Sequence, residues 1–252
     1  MRVAALYDIH GNLPALEAVL EELAREKADR IVVGGDVLPG PMVHECLERL
    51  AKFGDQAQYL YGNCEADALE MLSGKRPARI PEQVLASIRW SAEQLDDATQ
   101  AAVRSWPATL RLPIPGLGEM LFCHATPRDD NEIFTRLTPE EQLLPVFKDV
   151  TADIVVCGHT HMKFDRRVGN TRVVNGGSLG MPFGEAGADW LLLGPDGIQF
   201  RHTNYNLEKA AKRIRCSGYP DVEGFVEQYV LHPPTEQKML DLLTKAELKA
   251  AG

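Results

Sequence analysis

Five apolar runs in this chain end in residues able to bind metals, and no other feature constrains its fold as tightly. "RVAALYD" leads to Asp8 and His10, "RIVVGGD" to Asp36 and "AQYLYGN" to Asn63. "MLFCHA" leads to His124, and "DIVVCGHTH" to His159 and His161. A strand buried on both faces reads as a continuous apolar run. In open α/β sheets, sites form beyond the carboxyl ends of the strands. These polar side chains are therefore expected to share one rim.

The segments between the runs fit an alternating fold. Residues 13–27 place Leu13, Leu16, Val19, Leu20 and Leu23 at helical spacing, and 42–53 read as a second helix. A βαβαβ order predicts parallel strands with right-handed crossovers. Residues 109–125 predict a hairpin turning at Pro115-Gly116-Leu117-Gly118, and a short helix is expected at about 138–148. Gly169-Asn170 and Asp196-Gly197 predict the turns of two later strand pairs. Residues 76–106, rich in Ala, Glu, Gln and Asp, read as a helical insert beside the site. The expected division is a domain over 1–206 carrying that insert, and a helical extension over 207–252, broken at "SGYP", packed on the same domain.

Bulk properties exclude several classes. With 44% hydrophobic and 25% charged residues, the composition is that of an ordinary globular protein. No apolar run approaches the ~18 residues of a membrane span. The N-terminal run stops at Asp8, too soon for a signal peptide, so the expected location is the cytoplasm, with no membrane partner. Cysteines 46, 64, 123, 157 and 216 lack paired spacing and read as reduced thiols. A net charge of −9 argues against a nucleic-acid partner, the one basic run being "KRPAR" at 75–79. A small anionic substrate remains compatible, because bound metal reverses the field locally.

Carboxylate, imidazole and amide oxygen in one donor set suit Mn²⁺, Fe or Zn²⁺ better than Mg²⁺ or Ca²⁺. Seven donors exceed the needs of one four-coordinate ion. A carboxylate such as Asp36 can bridge two ions ~3.5–4 Å apart, the spacing of two-metal hydrolytic sites. Any one Asp or His after a strand is usually a cap or turn; their conjunction points to a metal centre.

Asp8-Ile9-His10, Gly35-Asp36, Gly62-Asn63, His124 and Gly158-His159-Thr160-His161 resemble, in order, the motif set of the calcineurin-like metallophosphoesterases, over residues 1 to about 180. The resemblance implies an α/β protein with a four-layer α/β/β/α sandwich, two mixed sheets flanked by helices, and a dinuclear metal site at the strand ends. It implies one metal held by Asp8, His10, Asp36 and His161, and another by Asp36, Asn63, His124 and His159. Both would be divalent transition metal ions, Mn²⁺ first, with Fe or Zn²⁺ as alternatives. The implied enzyme is a metal-dependent phosphohydrolase, most similar to the small bacterial and archaeal phosphodiesterases. A metal-bridging hydroxide would attack phosphorus in line with the leaving group, with Asp36, Asn63, His124 and His159 in the catalytic set. Cys64 stands where many members carry a histidine that protonates the leaving group; the small branch is similar in having Gly-Asn-Cys. A thiol is a weak hydrogen-bond donor, so a catalytic Cys64 would give little general-acid help, and activated leaving groups are favoured.

Other residues have two readings each. Asn12 reaches substrate or caps the helix at Leu13. Arg128 clamps a substrate phosphate or pairs with acids of its own loop. Glu65 and Asp67 orient neighbouring groups or start a helix. Two rival functions stand beside the phosphodiesterase. One is a dinucleoside polyphosphate (phosphoanhydride) hydrolase, its nucleotide held between 76–106 and 125–134. The other is a non-catalytic metal-binding interaction scaffold, as in a eukaryotic trafficking subunit that resembles this fold but has lost ligand positions. The expected partner is a small phosphorylated substrate, a nucleotide among the candidates, and the oligomeric state is open to a homo-oligomer.

Overall fold

The computed structural model describes residues 1–77, 80 and 82–248, with the backbone alone at 82 and 83. Part of the expected insert and of the basic run (78, 79 and 81), and the last residues of the extension (249–252), lie outside the described residues. In chain order come β1 (Val3–Leu6), α1 (Leu13–Glu26), β2 (Arg30–Val33), α2 (Val43–Ala51), β3 (Ala57–Tyr59) and α3 (Asn63–Leu72). The insert supplies α4 (Glu82–Glu93) and α5 (Asp97–Ser105). Then follow β4 (Thr109–Ile114), β5 (Gly118–Cys123), α6 (Glu140–Phe147), β6 (Ile154–Cys157), β7 (Lys163–Val168), β8 (Thr171–Gly176), β9 (Ala188–Gly194) and β10 (Gly197–Thr203). The extension forms α7 (Leu207–Arg215), α8 (Val222–Phe225), a π-turn at Val226–Leu231 and α9 (Glu236–Leu243).

The strands make two mixed five-stranded sheets, ordered β10-β9-β1-β2-β3 and β4-β5-β6-β8-β7. β1, β2 and β3 run parallel, as do β5, β6 and β8. The continuous apolar runs are divided by the pleat, which sends alternate residues to opposite faces. Val3, Ala5 and Tyr7 meet Met120, Phe122, Ile154 and Val156 between the sheets. Ala4, Leu6, Ile31 and Val33 instead face Leu13, Leu16, Val19 and Leu23 of α1 and Cys46 and Leu50 of α2. Leu121, Cys123, Val155 and Cys157 cover α6 through Leu143, Val146 and Phe147. Each fully buried leucine of α1 contributes about 2 kcal/mol of hydrophobic stabilisation. The four expected layers are thus helices, sheet, sheet and helix.

β3 is shorter than the run that contains it. The strand ends at Tyr59, and Asn63 is the first residue of α3 rather than the end of a strand. The cause is Glu65, whose carboxylate accepts the Gly62 amide at 2.8 Å and closes the first turn of the helix. The extension folds back onto the body. Ala210, Ala211 and Ile214 of α7 join the helical layer, and Leu240 of α9 packs on Met162 and Phe183. Among the described residues, no helix is long and apolar enough to cross a membrane.

Candidate metal centre

The turns that follow β1, β2 and β6 share an uncommon backbone conformation. Among the described residues, positive φ without glycine occurs at Asp8 (53°), His10 (46°), Lys27 (53°), Asp36 (52°), His159 (68°) and His161 (56°). All but Lys27 are candidate ligands. A left-handed residue with a Cβ costs about 1–2 kcal/mol, and such strain gathers at functional sites. Neighbouring turns hold each other there: Asp8 N donates to Gly35 O at 3.2 Å and His10 N to Asp36 O at 2.9 Å. Tyr7 locks the first and last turns together. Its hydroxyl donates to Val156 O at 2.9 Å, and its ring fills the space that a Cβ on Gly34 or Gly158 would need.

These turns bring the candidate ligands to one place. Asp8 Oδ1 lies 3.4 Å from His161 Nε2, 3.9 Å from His124 Nε2 and 4.0 Å from His10 Nε2. Asp36 spans the cluster, with Oδ2 3.9 Å from His10 Nε2 and Oδ1 3.5 Å from His124 Nε2. His10 Nε2 is 3.2 Å from His161 Nε2, and His124 Nε2 is 3.1 Å from Asn63 Oδ1. His159 completes the ring beside His124, their centroids 5.1 Å apart. Asp8 is more central than the implied assignment to a single ion, since it borders histidines of both halves.

An outer set of bonds aims the ligands. Three histidines turn Nε2 inward because Nδ1 is bound to backbone carbonyls: His10 to Pro39 O at 3.3 Å, His124 to Gly34 O at 2.9 Å and His161 to Met181 O at 3.0 Å. A ligand histidine fixed through its other nitrogen is the usual arrangement at metal sites. Asp8 Oδ2 accepts His159 N at 2.9 Å, and Asp36 Oδ1 accepts Cys64 N at 3.0 Å. Glu65, fully buried, accepts the amides of Asp36 and Gly62 on Oε2 and those of Val37 and Leu38 on Oε1. Asn175 Nδ2 ties down Gly158 O at 2.6 Å and Thr160 Oγ1 at 3.1 Å.

The protonation pattern follows from burial and neighbours. Burial depresses His10 to about 4, and burial with the adjacent His124 charge depresses His159 to about 4. Burial also opposes the charge on His124, but Asp36 and Asp8 outweigh it and raise His124 to about 10. His161 is raised against burial by Asp8. Asp36 and Asp8 lie below their ordinary value, because the histidine charges overcome desolvation. Burial and the Asp36 charge push Glu65 up to about 7, against the pull of its bound amides.

The donor set fits metal. Asp8 Oδ1 and His159 Nε2 are buried with no hydrogen-bond partner, although buried polar atoms are normally paired. The groups Asp8, His10, His161 and Asp8, Asp36, His124 each bring their ligand atoms within 4.8 Å of one another. Two carboxylates, four imidazoles and an amide oxygen form a mixed N/O set suited to transition metals.

The remaining candidates separate. Cys64 lies at the cluster, with Asn63 Nδ2 donating to its Sγ at 3.4 Å. Burial and the Asp36 charge hold its thiol well above the ordinary range, so it stays protonated. Asn12 is fully buried and caps α1: its Oδ1 accepts Ala15 N at 3.2 Å, and its amide donates to Gly180 O at 2.9 Å. Arg128 Nε donates to Glu132 Oε1 at 2.8 Å, and the side chain lines a separate cleft beside Thr109 and Pro145. The acid of its own loop that Arg128 pairs with is Glu132, four residues on. Asn175, Tyr7 and Phe183, whose ring stacks on His161 at 5.3 Å, were not legible as site residues, since none belongs to a ligand motif.

Comparison with known proteins agrees with this geometry. Residues 1–194 match the calcineurin-like phosphoesterase superfamily domain. An uncharacterized protein of Methanocaldococcus jannaschii is 24% identical over 241 residues, covering 87% of this chain and 94% of its own length. Phosphodiesterase YfcE of Escherichia coli K12 is 35% identical over 81 residues, 29% of this chain and 44% of that protein. A hypothetical protein of Pyrococcus horikoshii has the same fold, with a TM-score of 0.76 at 21% identity, covering 93% of this chain and 99% of its own. The chain belongs to the calcineurin-like phosphoesterase superfamily and is a metal-dependent phosphoesterase.

Proposed function

We propose that the chain is a dinuclear phosphodiesterase. Asp8, His10, Asp36 and His161 would hold one metal, and Asp36, Asn63, His124 and His159 the other, with Mn²⁺ as the metal. The observation that carries this reading is Asp36, whose Oδ2 lies 3.9 Å from His10 Nε2 and whose Oδ1 lies 3.5 Å from His124 Nε2. When bound, two such metals polarise phosphoryl oxygens and acidify a water. The chain's own contribution is to fix the donors. Backbone carbonyls hold the Nε2 atoms inward, Glu65 holds the backbone of Asp36, and Cys64 N holds its carboxylate, which would let Asp36 serve both metals.

The diester preference rests on the named activity of the Escherichia coli relative and on Cys64. A half-buried, protonated thiol donates weakly, so the best substrates have leaving groups that need little proton help. The scaffold alternative loses support because all seven ligand candidates are present and gathered. The test is metal content of the purified chain, followed by hydrolysis of bis(p-nitrophenyl) phosphate with and without added Mn²⁺. About two ions per chain and Mn²⁺-dependent turnover are expected. Folded protein that binds no metal and turns over no ester would overturn the reading.

A further inference from the structure

A cleft of about 410 Å³ opens over the metal cluster. That volume lies in the range of small-ligand pockets. His10, Asp36, Asn63, Cys64, His159 and His161 form its floor. One wall is Tyr219, Asp221, Phe225 and Tyr229, all from the extension, beyond the 1–194 stretch that matches the family. No described residue of 125–134 lines the cleft, so the loop expected to hold a nucleotide is not its wall.

The wall is a continuous aromatic row. Trp90 of α4 meets Tyr219 edge-on at 5.5 Å, Tyr219 meets Phe225 at 5.9 Å, and Phe225 meets Tyr229 at 5.6 Å. The row is anchored, because Tyr219 and Phe225 are buried in the helical core and the Tyr219 hydroxyl bonds Ser87. A fixed aromatic surface binds a flat ring by stacking, worth about 1–3 kcal/mol per base. Exposed Asp221 adds a hydrogen-bond acceptor at the edge of the row. It is also an anion, so it disfavours a second or third phosphate along this wall.

We infer that the extension is the specificity wall of the enzyme and that it takes a nucleoside esterified to the reacting phosphate. The base lies against Tyr229, the partly exposed end of the row, with hydroxyl or amino donors towards Asp221. This rests on the phosphodiesterase reading above. It also narrows that reading, since a single phosphodiester suits the wall better than a polyphosphate chain.

Thymidine 5′-(p-nitrophenyl) phosphate and methyl p-nitrophenyl phosphate share a leaving group and differ in the other ester arm. With the Mn²⁺-loaded full chain, kcat/KM for the thymidine ester should exceed that for the methyl ester by at least about tenfold. Tyr229→Ala and Asp221→Asn should each lower this ratio by at least about threefold. Asp221 is exposed, so the second variant keeps the test valid if the first misfolds. Calorimetry should show thymidine 5′-monophosphate binding at least about tenfold more tightly than methyl phosphate, with no nitrophenyl ring present to occupy the wall. Equal rates on the two esters, or equal binding of the two monophosphates, or a ratio unmoved by both variants, overturns the inference. In each of those cases turnover of the esters leaves the phosphodiesterase reading standing. No turnover of either ester by metal-loaded protein overturns that reading, and the calorimetry still decides whether the wall binds a nucleoside.

Discussion

Glu65 accepts the backbone amide of Asp36 at 2.8 Å, so a buried carboxylate on α3 aims the carboxylate that spans the metal cluster. The same side chain takes three further amides, from Gly62, Val37 and Leu38. A neutral amide side chain cannot accept all four, because half of its polar end is a donor. Each buried amide left without a partner costs about 1–3 kcal/mol. Glu65→Gln should therefore lower Tm by roughly 5–10 °C and weaken Mn²⁺ binding about 10- to 100-fold. Scanning calorimetry and metal titration check both; wild-type values for the variant would reduce Glu65 to a simple helix start.

Metal binding should release protons. In the metal-free chain His124 titrates at about 10, and His161 is also raised. His124 therefore carries a proton at neutral pH, and an imidazole must lose its proton to become a ligand. Affinity for Mn²⁺ should rise with pH from about 7 towards about 10, about tenfold per unit for each proton released. Titration calorimetry in buffers of different ionisation enthalpy counts the protons. His10 and His159, both near 4, add none in that window. Their effect lies lower: below about pH 6.5 the unfolded chain takes up these protons before the folded one does. Stability of the metal-free chain should therefore fall as pH drops from about 6.5 to about 4. A pH-independent affinity would contradict the charged state of His124.

The extension should reach the metal indirectly. Phe183 stacks on His161 at 5.3 Å, and Leu240 of α9 packs against Phe183. Leu240→Ala should cost about 2–4 kcal/mol in denaturant unfolding. It should also weaken Mn²⁺ binding, although residue 240 touches no ligand atom. Reduced stability with unchanged affinity would show that His161 is held well enough by its bond to Met181 O.

Cys64→His tests the leaving-group argument. Histidine at 64 would place a titratable donor where a protonated thiol now stands. Rates on alkyl leaving groups should rise by about 10²-fold or more, and rates on nitrophenolate much less. The slope of log kcat against leaving-group pKa measures this directly. An equal gain on both kinds of ester would remove position 64 from proton transfer.

What the sequence determined by itself was the set of candidate ligands and the apolar runs that deliver them, because both are local. A strand buried on both faces needs a continuous apolar run, and the residue that ends it is read directly from the chain. Asp8, His10, Asp36, His124, His159 and His161 were legible as candidates for that reason, and the Gly169-Asn170 turn through its residue types; the later turn sits at Pro195-Asp196, one residue before the expected Asp196-Gly197. Tertiary structure decided what depends on distant segments meeting. Asn12 became a cap and Arg128 a partner of Glu132, since a short-range bond was available to each. Glu65 became the support of Asp36 only because α3 packs its first turn beneath the loop after β2. The aromatic wall joins residue 90 to residues 219–229, and no periodicity in either segment announces that meeting. Ligand type is written in single residues; orientation and specificity are set by packing between segments far apart in the chain.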